Sequence, residues 1–348
     1  LARLCAAAQG VALDIELVIP DAAAPEAALS EAGHAIKAAG LSPTRIIPLR
    51  AGYLGSHQPS GPWPEGPTPA EVVAAARRVF ADIFPQALIG GGMLTNFTEF
   101  NRCPPDPDLC DFVTHGNTAI VHAGDDMSVV ETLETLPQIY ASARAIAAGT
   151  PYRLGLLSIG MRSNPYGAAV AENPSQIRRT MGREDPRHRG LFAAAWAVAV
   201  LGTTEGQGVE ALCLGAPVGP FGVSYDRQPY EQAYYDDTPG AAVYPIFHVV
   251  KAAAAMAGQP RLHVAGLPEG IHAYGVRTPT GALLMLANVS AHAQTVHLPH
   301  PGRAAVLDET TFSAATTQLN WLETAPRQEG STLNLEAYAV AFLEERHL

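Results

Sequence analysis

Charge is scarce in this 348-residue sequence: Asp, Glu, Lys and Arg make up 16%, and 22 basic residues face 33 acidic ones for a formal net charge of −11. That balance argues against a nucleic-acid partner, because following a phosphate backbone takes a stripe of Lys and Arg. Long apolar runs are missing too. The Ala-rich stretch Leu191–Leu201 is too short to span a bilayer, so no membrane segment is expected. The start lacks the basic, apolar and small-residue succession of a secretion signal, which makes a cytoplasmic location the expectation. Cysteine is limited to Cys5, Cys103, Cys110 and Cys213, without a CxxC pair, so buried free thiols are expected rather than a disulfide framework. No GxSxG elbow occurs, which removes the common α/β serine hydrolase. What is present is 47% apolar residues, rich in Ala, Gly and Pro, enough for about two domains with cores of their own.

Short apolar segments alternate with Ala-rich helical ones over the first 260 residues. Strands are expected at Ala12–Ile19, Arg45–Leu49, Ala87–Gly91, Asp111–His115, Arg153–Ile159 and Val209–Gly215. Helices are expected at Ala24–Ala39, Pro69–Phe84, Ser128–Ala148, Arg187–Gly202 and Tyr244–Ala257, with Asp21 and Thr68 as N-caps. This alternation means parallel β-structure with right-handed crossovers. A doubly wound sheet fits less well, since Ile19-Pro20-Asp21 offers no glycine turn after the first strand. A TIM-type (β/α) barrel fits better, but six strands fall short of eight. With the chain opening at Leu1 inside a helical stretch, the expectation is an N-terminally truncated barrel over 1–260, with upstream sequence covering the edge of the first strand. From 261 to 348 the pattern changes to six short strands broken by turn signals such as His300-Pro301-Gly302, which reads as a small antiparallel β-sandwich.

In such architectures ligands meet the C-terminal ends of the strands. On the first strand Leu13, Ile15, Leu17 and Ile19 share one face and Asp14 and Glu16 the other, so both acids should point into the barrel, either salt-bridged to an inward Arg or, for Glu16, contacting substrate. Arg50 ends the second strand and suits a hydroxyl-rich or carboxylate ligand, or a pairing with Glu16. The third ends in Gly90-Gly91-Gly92, where backbone can approach a ligand closely, and runs into Glu99, Asn101 and Arg102. The fourth presents His115 and Asn117, and His is a ready acid or base near neutral pH. The spacing of His115, His122 and Asp125 matches no strong metal signature, so neither metal nor cofactor is expected. The fifth ends in Arg162, Asn164 and Tyr166, while the sixth is apolar. No carboxylate stands at either of these last two ends, which speaks against the paired acids of a retaining glycosidase.

Ile89-Gly-Gly-Gly with Thr95-Asn-Phe-Thr-Glu-Phe-Asn-Arg102 resembles the D-apionate lactonase family. So do Thr114-His-Gly-Asn117, Ile159-Gly-Met-Arg-Ser-Asn-Pro-Tyr166, Leu214-Gly-Ala-Pro217 and Tyr244-Pro-Ile-Phe-His-Val-Val-Lys251, and the resemblance continues into the terminal strands. It implies a glycosidase-like TIM barrel with a C-terminal β-sandwich, additional N-terminal sequence, and hydrolysis of D-apionolactone to D-apionate in bacterial apiose breakdown. The roles themselves rest on the residues. Opening a lactone needs a base for water, a stabiliser for the oxyanion and a proton for the leaving alkoxide. Glu99 or His115 would serve as base and acid, and Arg162 would hold the oxyanion. Glu16, Arg50, Asn101, Arg102, Asn117, Asn164 and Tyr166 would bind a small sugar lactone. Two alternatives stay open: a glycosidase using Glu99 with Glu16, and a non-catalytic carbohydrate binder, for which Tyr274, Phe312, Trp321, Tyr338 and Phe342 are the available aromatics.

Overall fold

The computed structural model describes residues 11–345. Six parallel strands lie in sequence order in one sheet: β1 (Leu13–Ile19), β2 (Pro43–Arg50), β3 (Leu88–Met93), β4 (Phe112–Thr118), β5 (Tyr152–Ser158) and β6 (Val209–Cys213). Helices α1 (Pro25–Ala38), α2 (Pro69–Ile83), α3 (Phe97–Arg102), α4 (Asp126–Ala147) and α5 (Leu191–Thr203) connect them, and α6 (Ile246–Met256) follows β6. Each expected strand and helix is present within a few residues of its expected bounds, and α3 is an addition in what reads as loop. The α2 start shows why: Thr68 Oγ1 accepts from Glu71 N while Glu71 Oε2 accepts from Thr68 N at 2.8 Å, a reciprocal cap ahead of an apolar face. Asp21, by contrast, caps nothing. The α1 N-cap is Ala24, and Asp21 Oδ1 accepts from Gly52 N at 3.0 Å.

The sheet curls, and its charges prove the sense of the curl. Asp14 on β1 pairs with Arg45 on β2 at 3.4 Å and with Arg153 on β5 at 2.8 Å, so β1 and β5 face each other across the concave side. Among the described residues β1 pairs only with β2 and β6 only with β5, which makes both of them edges.

A five-stranded antiparallel sheet follows, in the order β10-β9-β11-β8-β7, from β7 (Ile271–Thr278), β8 (Gly281–Asn288), β9 (Gln294–Leu307), β10 (Gln328–Leu335) and β11 (Val340–Glu345). The turn expected at His300-Pro301-Gly302 lies inside β9, where the register jumps: Gly302 pairs with Gly330 and His297 with Thr332. The extra residues bulge out of β9 and bend one strand instead of separating two.

Helix α5 joins the two sheets. Every residue from Phe192 to Leu201 is buried, as befits a helix apolar on all sides, and a Cβ on Gly202 would come within 2.8 Å of the Ala273 carbonyl on β7. Its core runs without a break from Leu133 and Leu154 to Met285, Leu307 and Phe342. No described helix is long and apolar enough to cross a membrane.

Candidate functional site

The strand ends converge on a small cavity lined by Leu94, Thr95, Asn96, Asn117, Ser158, Arg162 and Ser163. Its fixed charge is Arg162. Nη1 donates to Glu16 Oε2 at 2.5 Å, and Nη2 donates to the Leu94 carbonyl. Glu16 therefore does face inward, as strand parity requires, and Arg162 is the inward arginine that answers it. Both side chains keep about a third of their surface, 28% for Glu16 and 35% for Arg162, so the pair meets solvent. Glu16 Oε1 carries no hydrogen bond among the described residues.

Loops after β2, β3 and β5 are laced together around this mouth. Arg102 Nη1 donates to Ser56 Oγ at 2.5 Å, and Ser56 N donates to the Pro165 carbonyl at 2.6 Å. In the same loop the Tyr53 and Trp63 rings stack 6.2 Å apart and His57 packs tilted on Trp63. Tyr166 reaches back toward Thr98, Asn96 and Glu99; its partial burial, and then the Glu99 charge, push the phenol above its ordinary range.

Glu99 is buried, and Oε2 accepts from Asn96 N at 3.2 Å, closing the first turn of α3. Oε1 is buried with no partner among the described residues, as is Thr95 Oγ1 four residues earlier. A buried acceptor left open is costly.

Several residues chosen from sequence are placed elsewhere. His115 is 0% exposed and packs among Phe97 and Phe100 of α3 and Tyr152 of β5. Nε2 hydrogen-bonds the Tyr152 hydroxyl at 2.8 Å and Nδ1 the Gly116 carbonyl at 2.7 Å. Burial pulls its pKa down to about 4, so it stays neutral near pH 7. It is not brought together with Glu99 or Arg162, because on β4 its side of the strand is the helix side. Arg50, 2% exposed, does not pair with Glu16 either. It donates to the Glu65 and Pro67 carbonyls, each at 2.8 Å, to the Asp21 carbonyl at 3.2 Å, and pairs with the Asp21 carboxylate at 3.3 Å. It is the anchor of the long loop after β2. Asn164 is spent on its own turn, donating to the Ala169 carbonyl and accepting from Tyr166 N, and Asn101 is exposed.

The glycines of β3 make room for protein rather than ligand. A Cβ on Gly90 would meet the Phe112 ring at 2.4 Å, one on Gly91 the Cys110 sulfur at 2.4 Å, and one on Gly92 the Thr114 carbonyl oxygen at 1.9 Å. Gly92 also sits at φ +137°, open to glycine almost alone.

Of the residues chosen from sequence, Asn117 and Arg162 line this cavity, Glu16 reaches it only through its pair with Arg162, and Glu99, Arg102 and Tyr166 stand on the neighbouring segments. Nothing in the sequence marks the Leu94 carbonyl, which acts through backbone position, or Ser158, whose hydroxyl donates to the Gly160 carbonyl at 2.8 Å. Asn96 was visible as a polar residue between the glycine run and α3, and its side of the turn became clear only with the cavity.

Against known families, residues 1–258 match the model described as D-apionate lactonase, TIM barrel domain, and residues 268–343 match the D-apionate lactonase C-terminal immunoglobulin-like domain. A D-apionate lactonase from Brucella anthropi is 38% identical over 265 residues, which is 76% of this chain and 41% of that protein, so the chain spans less than half of that relative's length. Among solved structures, an alpha-L-arabinofuranosidase from Thermotoga maritima superposes with a TM-score of 0.50 at 11% identity, over 92% of this chain and 79% of that one. A conserved exported protein from Bacteroides fragilis superposes with a TM-score of 0.54 at 10% identity, over 92% and 69% of the two chains. These two share the glycosidase-like barrel architecture. With matches across both sheets, the chain belongs to the D-apionate lactonase family.

Proposed function

We propose that this chain carries the reacting centre of a sugar-lactone hydrolase acting on D-apionolactone in bacterial apiose catabolism. Catalysis falls to the barrel part, 1–260, and 261–348 serves to buttress it through α5. The observation that carries this proposal is the solvent-meeting Glu16–Arg162 pair on the concave side of the sheet, whose Arg162 also lines the small cavity after the strand ends.

In the mechanism, the lactone carbonyl lies against Arg162, whose guanidinium is fixed by Glu16 and the Leu94 carbonyl and needs no reorganisation as the oxyanion forms. Glu16 Oε1 takes a proton from water as its oxygen attacks the carbonyl carbon. The tetrahedral intermediate then collapses, the ring C–O bond breaks, and Glu16 returns the proton to the leaving alkoxide. The new carboxyl group ionises and stays opposite Arg162 until release. Asn96, Asn117 and Tyr166 would take sugar hydroxyls. His115 takes no part.

A second assignment of the base, to Glu99, is favoured by its buried, unpartnered Oε1. The glycosidase alternative needs Glu16 and Glu99 open to one cavity, and the burial of Glu99 against Asn96 counts against it. Separate Glu16→Gln and Glu99→Gln variants, assayed for lactone opening by proton release, distinguish the two bases. Loss in Glu16→Gln alone supports the first assignment, loss in Glu99→Gln alone supports the second, and full rates in both sink the proposal.

A further inference from the structure

We propose that the small cavity after the strand ends is the site of one permanently bound water, held by Thr95, Ser158 and Arg162. Thr95 then acts through this water as a positioning residue for the Arg162 guanidinium. The cavity's volume is about 10 Å³, the scale of a single water and far below that of a sugar site.

The lining names the occupant. Thr95 is 6% exposed, lines the cavity, and its Oγ1 is buried without a partner among the described residues. An unpaired buried hydroxyl is costly, and a water that has other polar neighbours removes the cost. Ser158, 4% exposed, is one such neighbour. Its Oγ spends its hydrogen on the Gly160 carbonyl at 2.8 Å, which leaves its lone pairs to accept. Arg162 is the other. Nη1 donates to Glu16 and Nη2 to the Leu94 carbonyl, and the remaining guanidinium N–H groups are left to donate. A water that accepts from Arg162, donates to Ser158 and pairs with Thr95 has the roughly three partners of a typical buried water.

The backbone opens at this point. His115 to Asn117 on β4 is a step of two residues, while the paired stretch of β5, Leu154 to Leu157, is a step of three. This bulge interrupts the ladder beside Leu156, which lines the cavity. Gly116 lets the neighbouring segments close in around it. A Cβ there would come within 2.5 Å of the Thr95 carbonyl oxygen and 3.0 Å of the Leu156 carbonyl oxygen. The water ties the exit of β3 to the end of β5 on the same segment that Arg162 already grips through Leu94, and so gives the guanidinium a second fixed contact. The effect on catalysis rests on Arg162 as the oxyanion partner; the water itself does not.

A crystal structure of the chain that shows ordered solvent is expected to place one water within hydrogen-bond distance of Thr95 Oγ1, Ser158 Oγ and Arg162. Thr95→Val keeps the branched shape and removes the hydroxyl. With the water bound, this takes away one of its partners and lowers the melting temperature by about 1–3 °C, and Thr95→Ser restores it. Without a water, valine relieves an unpaired buried hydroxyl and the melting temperature rises. In lactone opening, Thr95→Val should lower kcat about fivefold or more with KM little changed, and Thr95→Ser should keep the wild-type rate. No water at that position, or a melting temperature unchanged or raised in Thr95→Val, would overturn the proposal. An unchanged kcat in Thr95→Val would overturn the positioning role. A wild-type chain that opens no lactone would count against the proposed function alone, with the crystallographic and melting results still deciding the water.

Discussion

Arg162 Nη1 donates to Glu16 Oε2 at 2.5 Å across 146 residues of sequence, tying the end of β5 to the middle of β1. Both groups meet solvent, so the pair adds little to stability, about 0.5–1 kcal/mol. A double-mutant cycle of Glu16→Gln and Arg162→Met in urea unfolding should return a coupling energy of that size. A value of several kcal/mol would mean a buried structural bridge instead of a centre kept open for chemistry.

The acid side of the stability curve follows from His115. Its folded pKa, about 4, lies below the unfolded value near 6.5, so the unfolded chain binds the proton first. Stability is therefore full above pH 6.5 and falls as pH drops from 6.5 toward 4. His188, His248 and His272, all lowered mainly by burial, act in the same direction. His115→Phe should flatten the fall in melting temperature across that window, by up to about 3 kcal/mol in free energy. An unchanged slope would show that His115 does not titrate on unfolding.

Gly92→Ala places a methyl 1.9 Å from the Thr114 carbonyl oxygen at φ +137°, where only β3 or β4 can give way. A loss of about 3 kcal/mol is expected from overpacking and backbone strain together. Gly149→Ala, at φ +95° with nothing within 4 Å of the added carbon, is the control that carries the strain alone. Equal losses in the two would remove the steric part of this account.

Arg50→Met leaves the Glu65, Pro67 and Asp21 carbonyls without their shared donor inside the loop after β2. Leaving buried carbonyls without their donor costs about 1–3 kcal/mol. Limited proteolysis should cut first between 55 and 67. Cleavage at wild-type rates would show that Arg50 does not anchor the loop.

Strand parity carried much of the fold and half of the site. Leu13, Ile15 and Ile19 pack outward, and Asp14 and Glu16 find arginines across the sheet, because alternation on a half-buried strand leaves a charge one side to go. The same rule applied to β4 places His115 with Val113 on the helix side, against its assignment to the mouth. The chemical suitability of imidazole carries no information about which side of a strand it occupies. The glycine run misled for a different reason: sequence cannot tell whether a missing Cβ makes space for a ligand or for Phe112, Cys110 and Thr114. Arg50 went to carbonyls of its own loop, and backbone acceptors leave no trace in residue types. His300-Pro301-Gly302 reads as a turn and is a bulge, since both interrupt a strand with the same residues.

The most direct measurement is kcat/KM for D-apionolactone opening in Glu16→Gln, Arg162→Ala and His115→Phe. Losing the oxyanion partner or the base should cost about a hundredfold or more, whereas His115→Phe should stay within about threefold of wild type, because its ring never reaches the cavity. Near-wild-type rates in both Glu16→Gln and Arg162→Ala, or a collapse in a folded His115→Phe, would contradict a reacting centre built on Glu16 and Arg162.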